Sequence, residues 1–137
     1  MKLLKAGACF NQYLGIRIVR THADGMTIEC PLHPQLLNAS GVLHGGVTAT
    51  LADVAVGQAL ARHLAPGRMS TTVELKVNYL RPVTGRKITA RSHMVRIGKT
   101  LSIGRVDLSD DRRRLVAVAL ITYMLLGPIP AGARRTR

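Results

Sequence analysis

A single acidic residue stands out near the middle of the chain. Asp53 is the only charged side chain between Gly45 and Ala61, a stretch otherwise made of small and apolar residues. No cation stands three or four positions away, where a partner on the same helix would have to lie. An unpaired carboxylate on an apolar helix is costly to desolvate, so we expect Asp53 to serve a chemical function. The alternative is that Asp53 points to solvent or caps a neighbouring loop.

The turn His44-Gly45-Gly46 stands where this helix is expected to begin. The first amides of a helix lack partners within it and lie at the positive end of its dipole, and glycine lets another group approach them closely. Such a turn suits the developing oxyanion of an ester or thioester carbonyl. The alternative is that the glycines only allow a tight junction, with His44 packing against the helix or capping it.

The spacing of these two features favours a site shared between subunits. Asp53 follows His44 by nine positions, and a rise of ~1.5 Å per residue separates them by ~13 Å within one helix. One chain cannot easily bring both to one carbonyl. A two-fold dimer can, by setting Asp53 of one subunit against the Gly45-Gly46 turn of the other.

The elements that position these groups follow from turn residues and apolar spacing. Two short runs rich in Ile, Val and Thr, 16–22 and 26–32, flank Asp24-Gly25 and predict a β-hairpin. A loop is expected over 34–43. The proline-free stretch 45–63 predicts a helix, and its small residues around nearly the whole circumference predict that other structure encloses it on all sides.

Downstream of the helix, the apolar period changes to two, which is typical of strands. Four strands are predicted, at 73–79, 87–97, 100–109 and 115–126. Short turns join them, so we expect consecutive strands to be antiparallel neighbours. The apolar phase changes between Ile103 and Val106, which we attribute to a bulge near Gly104. One helix filling a single curled sheet makes an α+β fold.

Length and composition predict one domain over residues 1–137, with 1–10 and 128–137 peripheral or flexible. The chain has 137 residues, of which 47% are hydrophobic, too many for a disordered chain. Its longest apolar run, 115–126, falls short of the ~20 residues that span a membrane. The N-terminus lacks the pattern of a secretory signal. We therefore expect a cytoplasmic protein without a membrane partner.

The cysteines and histidines do not suggest a metal site. Cys9 and Cys30 form no paired ligand motif, and the five histidines lack the close spacing of zinc sites. Free cysteines are usually buried, so we expect two buried thiols and no metal.

The charge balance points to anionic partners. The chain has 20 Lys and Arg against 7 Asp and Glu, a formal charge of +13. A field this positive attracts nucleic acid and phosphate-bearing cofactors alike. Aromatic residues make up only 3% of the chain, whereas proteins that bind single strands usually stack bases on aromatic side chains. A basic nucleic-acid-binding module therefore stays an alternative, and we expect no specific nucleic acid.

Several motifs follow one another in a characteristic order from about Asn11 to Leu126. They are Asn38, Gly41-Val42-Leu43-His44-Gly45-Gly46, Leu51-Ala52-Asp53, Asn78-Tyr79-Leu80-Arg81-Pro82 and Gly98-Lys99-Thr100. Together they resemble the hotdog-fold acyl-CoA thioesterases of the phenylacetate-degradation (PaaI) type. The resemblance implies one long central helix wrapped by a curved antiparallel sheet of about six strands, in a homodimer or dimer of dimers. It also implies hydrolysis of an acyl-CoA to the free acid and coenzyme A, with no cofactor because coenzyme A is part of the substrate.

The resemblance also implies roles for individual residues. Asp53 corresponds to a general base or nucleophile, and the Gly45 amide corresponds to an oxyanion donor. Asn38 matches a position that holds the attacking water or the thioester. Thr72 falls near a hydroxyl that orients water in some members, and His44 belongs to the same catalytic motif.

The basic excess has a use if the substrate is a coenzyme A ester, which carries a pyrophosphate and a ribose phosphate. We expect Arg81, Arg96 and Lys99 to bind these phosphates from strand ends and turns, and salt to weaken the binding. Gly46 is expected to contact the substrate at the start of the helix. The main alternative is a non-catalytic acyl-CoA-binding protein of the same fold.

Overall fold

The computed structural model describes residues 9–127. The expectation that 1–10 and 128–137 are peripheral or flexible therefore lies outside the described residues, except that Cys9 and Phe10 begin a helix. In chain order the elements are helix α1 (Cys9–Tyr13), strands β1 (Arg17–His22) and β2 (Gly25–Pro31), a 3-10 turn (Pro34–Leu36), helix α2 (Gly45–Ala61), and strands β3 (Met69–Tyr79), β4 (Lys87–Ile97), β5 (Leu101–Asp110) and β6 (Leu115–Leu126). Neither of the α-helices in this range has the length and apolarity needed to cross a membrane.

The six strands form one antiparallel sheet in the order β1-β2-β4-β5-β6-β3, curved around α2. This confirms the α+β prediction and the predicted hairpin of β1 and β2. The expectation that β3 and β4 are neighbours is wrong. Strand β3 pairs with β6 at the edge of the sheet, and the segment 80–86 carries the chain from that edge to the place of β4 beside β2. A connection of seven residues containing Pro82 has the length to make this crossing, unlike a tight hairpin turn.

Helix α2 buries only one of its sides in the sheet. The buried side consists of residues at helical spacing, namely Leu51, Ala52, Ala55, Val56, Ala59 and Leu60. The opposite side, with Thr50, Asp53, Val54 and Gln58, is partly open to solvent. The prediction that other structure encloses the helix on all sides is therefore wrong for a single chain. The open side still carries only one charge, which is unusual for a helix face that stays in water.

Gly104 marks a point of close contact between the sheet and the helix. A bulge does lie beside Gly104, as predicted, but the extra residue is Val95 of the neighbouring strand β4. Strand β5 itself pairs with β6 in unbroken register from Leu101 to Leu108, so the bulge does not explain the apolar phase of β5. The apolar phase changes because Leu101 and Ile103 lie on the outer face, while Gly104 and Leu108 face α2. A Cβ at Gly104 would come within 2.6 Å of Val56 Cγ1, so glycine makes room for the helix.

A register shift between β5 and β6 leaves the buried Val116 of β6 without a partner on β5. Three further bulges each set a valine out of register: Val19 in β1, Val73 in β3 and Val95 in β4. These valines are 55%, 50% and 63% exposed. A bulge shifts the alternation of the strand by one residue. At Val73 the shift brings Thr72 onto the face that contacts α2, where strict alternation would have placed Thr71.

Cys30 is a buried free thiol in β2, as predicted. Its Sγ donates a hydrogen bond to the Leu14 carbonyl at 3.1 Å. Burial raises the pKa of the Cys30 thiol to about 11, so the group is protonated and unreactive at neutral pH. The side chain of Cys9 lies outside the described part of the chain.

Candidate active site

The carboxylate of Asp53 is held by a threonine on the neighbouring strand. The bulge at Val73 turns Thr72 towards α2, and the Thr72 hydroxyl donates to Asp53 Oδ1 at 2.8 Å. Thr71, one residue earlier, is exposed on the other face of β3. The structure thus brings together two of the residues singled out in the sequence.

A second donor to the same oxygen was missed in the sequence. The Tyr123 hydroxyl donates to Asp53 Oδ1 at 2.8 Å and lies 2.9 Å from the main-chain oxygen of Asp53. Burial, together with the nearby Asp53 carboxylate, raises the pKa of Tyr123, so its phenol stays protonated. The signal that was available is a tyrosine inside the apolar run 115–126, because a buried tyrosine hydroxyl needs a polar partner.

Asp53 opens onto a groove of about 450 Å³ along the uncovered side of α2. The lining combines apolar or small residues with polar ones. The apolar or small residues are Phe10, Ala49, Val54, Gly57 and Leu75, and the polar residues beside Asp53 are Asn11, Thr50, Gln58 and Tyr123. Asp53 Oδ2 accepts no hydrogen bond from residues 9–127, and no cation in that range forms an ion pair with it. A carboxylate oxygen with free lone pairs in such a groove can accept a proton from a water molecule.

The turn at the start of α2 uses its two glycine amides differently. His44 is the N-cap residue, and its Nδ1 accepts a hydrogen bond from the Gly46 N–H at 2.9 Å. The expectation that both first-turn amides are free is therefore wrong for Gly46, whose N–H is used within the chain. The Gly45 N–H has no acceptor among the described residues, so it is the amide open to an incoming oxyanion. His44 itself caps the helix, which was the alternative to a chemical role.

Gly45 is also where β3 reaches the start of α2. The Tyr79 hydroxyl donates to the Gly45 carbonyl oxygen at 2.7 Å. A Cβ at Gly45 would lie 3.3 Å from the Tyr79 ring, so glycine lets the two elements pack closely. Strand β3 thus contacts α2 beside both candidate groups, through Tyr79 at Gly45 and through Thr72 at Asp53.

Asn38 organises the loop that precedes α2. Its Oδ1 accepts hydrogen bonds from the backbone N–H groups of Ser40 and Val42 at 2.9 and 3.3 Å. Because this oxygen is occupied, the side-chain NH₂ is the part of Asn38 left to donate to a water or a thioester. Asn38 and Gly45 line a second groove, of about 360 Å³, together with Tyr79 and Arg81.

Asp53 and Gly45 do not meet within one chain. They open onto the two different grooves, and their separation of eight residues corresponds to ~12 Å along a helix. A single subunit therefore holds a candidate base and a candidate oxyanion donor that cannot act on the same carbonyl.

The basic residues expected to bind phosphate lie at opposite ends of the sheet. Arg81 follows β3, and its guanidinium donates to the Leu115 carbonyl at 2.7 Å. Arg96 and Lys99 line an open depression at the β4–β5 turn, where Arg68 also donates to the Lys99 carbonyl at 3.4 Å. One chain does not gather these residues around one ligand.

Comparison with known proteins identifies the family. Residues 40–117 match the thioesterase superfamily, a span that contains both Asp53 and the His44-Gly45-Gly46 turn. The chain belongs to the thioesterase superfamily.

Individual thioesterases resemble the chain over most of its length. The medium/long-chain acyl-CoA thioesterase YigI of Escherichia coli K12 is 34% identical over 131 residues, covering 85% of this chain and 84% of YigI. The crystal structure of thioesterase HI1161 from Haemophilus influenzae superposes with a TM-score of 0.86 at 25% identity, covering 92% of this chain and 88% of that one. The E. coli PaaI protein from the phenylacetic acid degradation operon shares the fold, with a TM-score of 0.81 at 21% identity and coverage of 89% and 87%. The hotdog fold and the resemblance to this family are thereby confirmed.

Proposed function

We propose that this thioesterase hydrolyses acyl-CoA esters at a site shared by two identical subunits, with Asp53 from one and the Gly45 amide from the other. The observation that carries the proposal is the Asp53 carboxylate. One of its oxygens is held by Thr72 and Tyr123, and the other accepts no hydrogen bond from residues 9–127, on a side chain that lines an open groove. The name of YigI, a medium/long-chain acyl-CoA thioesterase, supports an acyl-CoA with a medium or long chain as the substrate.

In the proposed reaction, Asp53 takes a proton from a water molecule, and the water oxygen attacks the carbonyl carbon of the thioester. The carbonyl oxygen becomes negative and accepts a hydrogen bond from the partner subunit's Gly45 N–H. The tetrahedral intermediate expels the thiolate of coenzyme A, which takes the proton from Asp53, and the carboxylic acid departs. A thiolate leaves readily, so a base and an oxyanion donor are sufficient.

A second route uses Asp53 as the nucleophile. Its carboxylate would attack the thioester carbon directly, expel the thiolate and form an anhydride that water then hydrolyses. Acid quenching during turnover, followed by mass spectrometry of the peptide that contains Asp53, distinguishes the two routes. An acylated peptide indicates nucleophilic attack, and an unmodified peptide favours the general base.

Strand β3 is the element through which we expect the subunits to join. It is an edge strand, and the side of α2 next to it is uncovered. Thr72 marks the position of Asp53 along β3, and Tyr79 marks the position of Gly45. Antiparallel pairing of two β3 strands about an axis near Lys76 would therefore set Asp53 of each subunit opposite the Gly45 amide of the other.

The two-fold rotation that pairs the two β3 strands also supports a role in phosphate binding for the separated basic residues. Arg81 lies two residues after the end of β3. Lys99 lies near the start of β3, where Arg68 donates to its carbonyl, and Arg96 shares a depression with Lys99. Pairing β3 with an antiparallel copy brings the Arg81 end of one subunit towards the Arg96 and Lys99 end of the other. The phosphates of one coenzyme A would then interact with both subunits.

The reaction class is tested by thiol release from aryl, short, medium and long acyl-CoA esters, with Asp53→Asn as the matched variant. We expect wild-type turnover on at least one ester class and a loss of kcat of about 10²- to 10⁴-fold in Asp53→Asn. Ester binding and thermal unfolding should change little, because asparagine is close to aspartate in size. Unchanged kcat in the variant would overturn the role of Asp53. Binding of every ester by the wild type without thiol release would favour the non-catalytic acyl-CoA-binding protein.

The oxyanion donor is tested by Gly45→Pro, with Gly45→Ala as the control. Proline lacks the N–H and is well tolerated at the first position of a helix. The extended backbone of His44, with ψ of 132°, also suits a following proline. Alanine adds the same Cβ beside Tyr79 but keeps the N–H. We expect the proline variant to lose about 10²- to 10³-fold in kcat and the alanine variant to keep most of its activity. Equal losses in both variants would remove the Gly45 amide from the mechanism.

Mixing the two inactive variants tests whether the site is shared. A heterodimer of Asp53→Asn and Gly45→Pro chains has one site with both defects and one site with neither. Random exchange of equal amounts should therefore restore about one quarter of the wild-type activity. No recovery, in a mixture shown by mass spectrometry to contain heterodimers, would place both groups in the same subunit's site.

A further inference from the structure

We propose that Tyr123 is a positioning residue for the reaction: its hydroxyl fixes the rotation of the Asp53 carboxylate so that Oδ2 faces the groove. The proposal rests on the proposed role of Asp53 and extends the machinery to strand β6. It also explains why residue 57, in the middle of α2, is a glycine.

The register of the sheet delivers two hydroxyls to one carboxylate oxygen. Thr72 and Tyr123 are directly opposite each other in the pairing of β3 with β6, so their side chains lie on the same face. Both hydroxyls donate to Asp53 Oδ1 at 2.8 Å. Rotation of the carboxylate would break both hydrogen bonds together, so the pair selects which oxygen is left free.

Gly57 makes room for the Tyr123 hydroxyl. It stands one helical turn after Asp53, on the same side of α2. A Cβ at Gly57 would lie 2.6 Å from the Tyr123 hydroxyl oxygen and 3.2 Å from Cζ, so any larger residue would displace the ring. Glycine is unfavourable in the middle of a helix, and this close approach accounts for its presence here.

Tyr123 acts as a donor towards Asp53. Its ring is 7% exposed, and the phenol stays protonated at neutral pH because burial raises the pKa of Tyr123. The single proton has two acceptors within reach, the carboxylate and the main-chain oxygen of Asp53. The carboxylate carries the charge and is the stronger acceptor.

Tyr123→Phe tests the proposal, because it removes the hydroxyl and keeps the ring. We expect kcat to fall roughly 10- to 100-fold, as expected when one hydrogen bond to a charged group is lost, with KM changed less than about 3-fold. The control is Ser92→Ala. Ser92 is buried, and its hydroxyl donates to the Ala55 carbonyl at 2.9 Å on the other side of α2. The control should lower thermal stability and leave kcat unchanged.

The outcomes separate this proposal from the proposed function. A Tyr123→Phe enzyme with wild-type kcat, alongside an inactive Asp53→Asn enzyme, overturns the positioning role and leaves Asp53 as the base. The positioning role is also overturned if Tyr123→Phe lowers thermal stability, as Ser92→Ala does, but leaves kcat intact. An active Asp53→Asn enzyme instead overturns the proposed function itself.

Gly57→Ala tests the contact between Tyr123 and Asp53 by a change in the helix. Its methyl group would push the Tyr123 hydroxyl away from Asp53, so we expect a loss in kcat similar to that of Tyr123→Phe. In the Tyr123→Phe background the hydroxyl is already gone, and the added methyl should lower kcat less than about 3-fold further. Losses that simply multiply in the double variant would show that Gly57 and Tyr123 act independently and would overturn the proposal.

Discussion

Thr71 and Thr72 are chemically identical neighbours, yet only Thr72 contacts Asp53. The difference comes from Val73, whose bulge shifts the alternation of β3 by one residue. The sequence resemblance pointed to Thr72, whereas strict alternation with Leu75 and Val77 would place Thr71 on their face of the strand. A bulge is decided by pairing with the next strand, and for that reason the residue pattern of β3 alone does not predict it.

Replacing each of these threonines by valine measures the value of the Thr72 hydrogen bond. Valine has the same shape without the hydroxyl. We expect Thr72→Val to lower kcat about 10-fold, because the Asp53 carboxylate loses one of two donors, and Thr71→Val to leave kcat unchanged. Steady-state thiol release from an acyl-CoA ester makes the comparison. Similar kcat values in the two variants would show that the hydrogen bond to Asp53 does not assist the reaction.

Other single residues differ in how far the sequence reveals them. Asp53 could be found because isolation from cations along a helix is visible in the sequence itself. Tyr123 could not, since its contact depends on β6 lying beside β3, a pairing across 51 positions of the chain. The sequence also did not reveal that the Gly46 N–H is used by His44 while the Gly45 N–H is left open, because this depends on the rotation of the His44 ring.

At the scale of whole elements, the sequence predicted which segments are strands and helix better than how they are arranged. The predicted bounds of β4 and β6 agree with the structure, and β5 differs by one residue at each end. Periodicity is a local property, so it identifies such elements well. The order of the strands is decided by which pairing encloses α2, and short connections suggested the wrong neighbour for β3.

The two edges of the sheet are predicted to differ in function. Leu75 lies midway along β3 and is 41% exposed in one chain, so arginine there is tolerated by an isolated subunit and disfavoured in a β3–β3 interface. We expect Leu75→Arg to yield folded monomers. The mass alone decides the test, because Leu75 also lines the groove at Asp53 and an arginine there would lower activity in any assembly. Sedimentation velocity reports the mass, and circular dichroism reports the fold.

The control for that variant lies on the opposite edge strand. Val19 in β1 is 55% exposed, and Val19→Arg should leave both the mass and the activity of the wild type. A Leu75→Arg protein that sediments with the same mass as the wild-type assembly would show that β3 is not the interface. A Val19→Arg protein that dissociates would point to β1 instead.

At the scale of the whole molecule, positive charge remains after the internal ion pairs are formed. Five acidic residues pair with basic side chains, namely Asp24, Glu29, Asp107, Asp110 and Asp111. With only 7 acidic residues against 20 Lys and Arg, most of the basic side chains have no acidic partner to neutralise them. Under the proposed function, a multiply charged anionic substrate would use this excess without the aromatic side chains that nucleic acid binding usually requires.

The charge excess leads to a prediction about salt and substrate size. Raising the salt concentration should increase KM for acyl-CoA esters, because ions screen the phosphates from the protein. The same acyl group on pantetheine, which lacks the nucleotide, should show little salt dependence. Arg81→Ala and Lys99→Ala should raise KM several-fold for the coenzyme A ester alone.

Arg17→Ala serves as the control for these charge variants. Arg17 forms an ion pair with Glu29 at 2.8 Å near the far edge of the sheet, so its loss should leave both substrates unaffected. Equal salt dependence for the coenzyme A and pantetheine esters would contradict phosphate recognition and assign the effect to the enzyme as a whole.

The bulge at Val73 determines where the length of β3 can change. It is the one residue of β3 that lies between consecutive pairs with β6, Thr72 with Tyr123 and Glu74 with Thr122. Deleting it would join these pairs without a gap and leave Thr72 and Leu75 on the face they occupy now, whereas deleting any residue on one side of it would turn part of the strand over. We therefore expect β3 to tolerate the loss of one residue at Val73, and one-residue gaps in alignments of this chain with its relatives should fall there.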